Sequence, residues 1–160
     1  MPSDMGMSAK VSIVIPAFNC AQWLGAAVRS ALSQTLAPLE VLVIDDGSSD
    51  ATAELCKGLG GAVRYHRLEN GGVSRARNIG ARMAQGDWLI FLDADDVLLP
   101  HATGVLLECA MRGGAGAAYG MVIERSEPGK LPRLNGFDFA AGDPPRAAER
   151  TLRRGAVAAR

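Results

Sequence analysis

At 160 residues, 48% hydrophobic and 21% charged, the chain is one globular domain's worth of sequence with enough apolar material for a single core. Lys plus Arg and Asp plus Glu number 17 each, so no overall charge points to nucleic acid or to an acidic surface, and function has to come from local placement. The three cysteines, at 20, 56 and 109, form neither a disulfide framework nor a zinc spacing. They fit a reduced, cytoplasmic compartment and read as buried small apolar residues.

Residues 1–10 lack the apolar centre of a signal peptide and read as a flexible leader. Val11 to Ile15 is a β-branched strand that Pro16 should stop, because proline has no N–H to extend a central ladder. A loop Ala17-Phe18-Asn19 follows, then a helix from about Ala21 with Leu24, Val28 and Ala31 on one face. Taken alone, Phe18 and Trp23 read as packing residues. Leu39 to Ile44 is a second strand that runs into Asp45-Asp46. Gly47 to Asp50 supplies a turn and a cap for a helix over 51–59. Residues 62–67 make a weaker strand near a sheet edge, where His66 is a half-exposed strand residue. A helix over 73–86 carries Val73, Ala76, Ile79 and Met83 on its apolar face. Gly71-Gly72 before it, with Arg75 and Arg77 within it, makes its N-terminus welcoming to an anion.

The organising stretch comes next. Trp88 to Leu92 is apolar without alternation, as in a strand buried on both faces of a parallel sheet, and it ends in Asp93, Asp95 and Asp96. Carboxylates crowded at the carboxyl end of such a strand lie where open α/β sheets bind ligands, and hard oxygen donors there suit Mg²⁺ or Mn²⁺. A helix over 101–112, with Pro100 at its first turn, and a strand over 117–124 complete the readable part. Residues 125–160 read as an incomplete or irregular segment ending in a short basic helix over 147–160, a tail compatible with peripheral membrane association. No apolar run approaches the ~20 residues of a membrane span.

Four strand–helix alternations predict an α/β fold with a mainly parallel sheet and helices on both faces. Its carboxyl edge collects Pro16 to Asn19, Asp45-Asp46 and Asp93 to Asp95, a set that suits a nucleoside diphosphate held with a metal ion. The segments VSIVIPAFN (11–19), VIDDGSSD (43–50), GVSRARNIG (72–80) and FLDADD (91–96) resemble, in order and spacing, the family 2 glycosyltransferases, inverting enzymes of the GT-A fold. The resemblance covers residues 11–124, the nucleotide-sugar-binding part.

The resemblance implies that Pro16, Ala17, Phe18 and Asn19 line the nucleoside pocket, with Asp46 accepting from the base and Asp45 supporting it. It further implies Arg77 near the diphosphate or sugar, Asp93 on ribose or metal, and Asp95 as the principal ligand of Mn²⁺ or Mg²⁺. The partners it implies are a nucleotide-diphosphate sugar, by default a UDP-sugar, and a carbohydrate or lipid-linked acceptor. The place implied is the cytoplasm or the inner face of the membrane, in polysaccharide or cell-envelope synthesis. In relatives the catalytic base lies downstream in a segment marked by an acidic pair that does not occur here; Asp138, Asp143 and Glu149 are the nearest candidates and none is singled out. Three other readings remain, one of them a pure interaction scaffold that no ligand should stabilise. A donor-binding module would hold the nucleotide sugar without transferring it. A nucleotidyltransferase would place a Gly-rich, Arg-containing loop where Pro16 to Asn19 stands.

Overall fold

A computed structural model describes residues 9–112 in full, together with the backbone of four later strands. The elements are β1 (Val11–Ala17), α1 (Ala21–Leu32), β2 (Glu40–Asp45), α2 (Thr52–Gly58), a 3₁₀ turn (Gly60–Ala62), β3 (Arg64–Arg67), α3 (Val73–Met83), β4 (Trp88–Phe91) and α4 (Ala102–Arg112). After them come β5 (Ala117–Tyr119), β6 (Val122–Glu124), β7 (Arg133–Asn135) and β8 (Ala156–Ala159). The main sheet has the order β3-β2-β1-β4-β8-β5, with β3, β2, β1 and β4 parallel and β8 antiparallel to both its neighbours. β6 and β7 form a separate antiparallel pair.

Successive side chains of a strand point to opposite faces, and here both faces are covered. Ile13, Ile15, Val41, Val43 and Ile90 pack with Leu24, Ala27, Val28 and Ala31 of α1, Cys56 of α2, and Leu106, Leu107 and Ala110 of α4. Val14, Leu42, Ile44, Leu89 and Phe91 pack on the other face with Ala76 of α3. Two cores explain why these strands are apolar without alternation. The mainly parallel sheet with helices on both faces is thus as expected.

Several elements differ from expectation. β1 continues through Pro16, which pairs with Ile44. Val11 and Ala17 accept from the amides of Leu39 and Asp46, which flank β2, while Val14 accepts from Leu92, so even-numbered positions of β1 face β4. The pairing with β4 ends at Val14–Phe91, so the missing Pro16 N–H falls just past the last paired residues and leaves no ladder bond unmade. Residues 117–124 are two strands in different sheets, with Gly120 between them, a residue that favours neither. Residues 156–159 are a strand between β4 and β5 where a helix was expected; strand pairing overrides the helical preference of its alanines. Residues 147–155 and 1–8 of the expected helix and leader lie outside the described residues. Lys10 is tied to the sheet, donating from its amide to Asp87 Oδ2 at 3.0 Å and accepting from the Trp88 amide at 3.0 Å. Cys20 and Cys56 are buried, but Cys109 is exposed on α4. Among the described residues no helix is long and apolar enough to cross a membrane.

Candidate active site

Two loops at the carboxyl edge are locked together by side chains chosen for it. Asn19 sits at φ 47°, a left-handed conformation that asparagine tolerates better than most residues. Its amide donates to Ser48 Oγ at 2.9 Å, and its side-chain Oδ1 accepts from the Ser49 amide at 2.8 Å. Asp50 then serves two helices: Oδ1 accepts from the Thr52 amide at 3.0 Å at the start of α2, and Oδ2 accepts from the Ala21 amide at 3.0 Å at the start of α1. Asp50, one residue before the N-cap Ala51, thus ties the starts of both helices together. Gly47, at φ 81°, makes the turn possible, since a Cβ there would lie 2.9 Å from the Asn70 amide.

The paired acids at the end of β2 have separate tasks. Asp45 is fully buried; its Oδ1 accepts from the Ser48 amide at 2.8 Å and its Oδ2 from the Tyr65 hydroxyl at 2.5 Å, with Arg67 3.9 Å away. Burial would raise its pKa, but the Ser48 and Tyr65 hydrogen bonds and the Arg67 charge outweigh it and hold the carboxyl below the usual aspartate range. Burial, and then the bond to Asp45, push the Tyr65 hydroxyl up to about 12. A lowered folded-state pKa means that the unfolded chain takes up the proton first. The stabilisation from Asp45 is therefore complete above the unfolded value of about 4 and is lost as pH falls through the folded value. Glu40, also lowered, acts in the same direction: burial raises its pKa, and the Ser12 hydroxyl, the Gln85 amide and Arg64 more than offset this. Urea midpoints measured from pH 7 down to pH 3 should fall below about pH 4, and Asp45→Asn should flatten that fall.

Asp46, 3% exposed, accepts from the Gly71 amide at 2.9 Å and the Gly72 amide at 2.7 Å, next to the first turn of α3. The anion expected at this helix N-terminus is thus met by a carboxylate of the chain itself. Arg75 does not turn to an anion either, but donates to the Glu69 carbonyl at 2.7 Å.

A cavity of about 580 Å³ opens at the carboxyl ends of β1 and β4. Its lining divides chemically. Phe18 and Trp23, each 52% exposed, and Val73, 49% exposed, give an aromatic and apolar part; Arg77, Asp93 and Asp95 give a charged part; Pro16 and Asn19, on either side of Phe18 in the chain, also line it. Arg77 reaches the site because α3 lies close on the sheet: a Cβ on Gly80 would come 2.4 Å from Val14 Cγ1. Arg77 is ion-paired with Asp93 Oδ1, and a turn closed by the Asp96 amide on the Asp93 carbonyl, at 3.0 Å, carries Asp95.

Of the residues anticipated from sequence, Pro16, Phe18, Asn19, Arg77, Asp93 and Asp95 therefore share one cavity. Ala17, Asp45 and Asp46 are buried beside it and do not line it; His66 is exposed on β3. Asp138, Asp143 and Glu149 lie outside the described residues. Trp23 was missed. It stands one position before Leu24, off the stripe that α1 buries, and an unburied tryptophan there was the available signal.

Asp93 and Asp95 put two hard carboxylate donors on one wall, which fits Mg²⁺ or Mn²⁺, ions commonly held by one or two carboxylates plus phosphate oxygens and water. Among the described residues no group of three acidic, cysteine or histidine side chains gathers that could hold an ion unaided.

The family model described as Glycosyl transferase family 2 matches residues 12–154. Chondroitin synthase of Pasteurella multocida (strain Pm70) is 43% identical over 101 residues, which are 61% of this chain and 10% of that protein, so the chain spans about a tenth of that relative's length. S. aureus TarS 1–349 in complex with UDP-GlcNAc is similar in structure with a TM-score of 0.64 at 22% identity, over 78% of this chain and 37% of that one. Mannosyltransferase PcManGT from Pyrobaculum calidifontis, in complex with GDP-Man and Mn²⁺, gives 0.62 at 21%, over 73% and 36%. At these identities the likeness is one of fold, the GT-A type. Since the family match runs through nearly the whole chain, from β1 past β7, the chain belongs to glycosyl transferase family 2.

Proposed function

We propose that this chain is the donor-binding part of an inverting glycosyltransferase that passes a sugar from a nucleoside diphosphate sugar to the hydroxyl of a carbohydrate or lipid-linked acceptor, with Mn²⁺ or Mg²⁺ assisting. The observation that carries this reading is the joining of Arg77, Asp93 and Asp95 with Phe18 and Trp23 in one cavity at the sheet's carboxyl edge. Aromatic faces suit a base or sugar ring, and a guanidinium suits a diphosphate. That TarS and PcManGT are described with UDP-GlcNAc and GDP-Man supports the ligand class; the second also supports the metal.

In this reading Phe18 and Trp23 hold the flat parts of the donor, Arg77 pairs with its phosphates, and Asp93 and Asp95 hold the ion. When bound, the ion stabilises charge growing on the diphosphate as the bond to the sugar breaks. Asn19 fixes the loop that carries Phe18, because its side chain is bonded to the Ser49 amide. UDP is the default nucleotide.

Thermal unfolding with Mn²⁺ and a panel of UDP, GDP, UMP and uridine tests the reading. A diphosphate at 100 times its Kd should add about 2.7 kcal/mol of stability, seen as a raised Tm, with uridine giving little. A panel in which neither diphosphate raises Tm contradicts it.

A further inference from the structure

The structure shows which partner Asp93 takes in the ligand-free cavity: Arg77. Arg77 is 13% exposed and Asp93 29%, so the pair is screened less than a surface ion pair. A guanidinium cannot shed its charge, and it is a fork matched to carboxylate and phosphate alike. We propose that Arg77 is a resident counter-cation on Asp93 that a divalent ion has to displace, so that ion and diphosphate bind this cavity with positive coupling.

The inference rests on the donor-site reading and deepens it. An ion approaching Asp93 and Asp95 alone meets a cation already on one of its two carboxylates. It must compete for Asp93 Oδ1 and stand beside a like charge. A diphosphate offers Arg77 other oxygens, which draws the guanidinium from Asp93 and opens that carboxylate to the ion. The ion in turn lowers the cost of a diphosphate lying near two aspartates. Each ligand removes what hinders the other, and such coupling is reciprocal. Arg77 is therefore a positioning residue for the metal site as well as a phosphate contact. If the pair served only to tie α3 to the end of β4, removing Arg77 would loosen the fold and would not strengthen ion binding.

Mn²⁺ titrations followed by electron paramagnetic resonance, on the full chain with and without UDP, separate these roles. Arg77→Gln should bind Mn²⁺ alone about fivefold or more tighter than the native protein, and UDP should enhance Mn²⁺ binding less in the variant than in the native chain. Arg77→Lys keeps the charge and should hold Mn²⁺ as weakly as the native protein does. Circular dichroism establishes folding, and Arg77→Met takes the place of Arg77→Gln if glutamine unfolds α3. Unchanged or weaker Mn²⁺ binding in the neutral variant, or equal tightening by lysine, overturns the inference while leaving the donor reading intact if native protein still binds UDP with Mn²⁺. Absence of UDP binding to the native protein overturns both.

Discussion

Asp45→Ala should lower stability by about 2–4 kcal/mol, the cost of leaving buried hydrogen-bond donors without their acceptor. The size follows from what is left behind. The Ser48 amide and the Tyr65 hydroxyl lose their acceptor in a fully buried place, and Arg67 loses a counter-charge. Tyr65→Phe should cost only about 1 kcal/mol, since Asp45 keeps the Ser48 amide and a nearby Arg67. The consequence reaches the cavity that Asp45 does not line. Ser48 is held at its amide by Asp45 and at its carbonyl by Arg67, 2.7 Å away, and its hydroxyl accepts from the Asn19 amide. Loosening Ser48 frees Asn19, so UDP affinity should fall together with the urea midpoint. A change in stability below about 1 kcal/mol would show that Asp45 is not the anchor of this loop.

Gly80→Val should cost about 3 kcal/mol, and even Gly80→Ala about 1–2 kcal/mol, although alanine is the better helix former by about 1 kcal/mol. A Cβ at Gly80 would meet Val14 Cγ1 at 2.4 Å and Ile44 Cγ1 at 3.1 Å, and both neighbours are fully buried, β-branched and stiff. They cannot yield, so α3 has to lift, carrying Arg77 away from Asp93. Gly58, with nothing within 4 Å of its added Cβ, is the control, and Gly58→Ala should raise stability by about 0.5 kcal/mol. Chemical denaturation of the three variants checks the order. Equal effects at Gly80 and Gly58 would mean that the close seat of α3 carries no energetic weight.

What could be read from sequence was what depends on local pattern. Apolar strands ending in acid gave the parallel sheet and put Asp93 and Asp95 at its carboxyl edge, where Pro16, Phe18 and Asn19 line the same cavity. What could not be read depends on direction or on distant partners. Pro16 continues β1 because of the side its nitrogen faces, which no propensity encodes. Asp46 is bound to two glycine amides 25 and 26 positions away, and the sequence shows a free acid and a free helix end. β8 is mostly alanine, a helical composition made into strand by β4 and β5 on either side. Trp23 looked like core because tryptophan usually packs; its exposure follows from its angle on α1.

Isothermal titration of UDP into the native protein, with and without Mn²⁺, beside Asp95→Asn, tests the central claim most directly. The account predicts binding that requires the metal in the native chain and is lost in Asp95→Asn with folding intact. Binding of UDP that is indifferent to Mn²⁺ and unaltered by Asp95→Asn would contradict it.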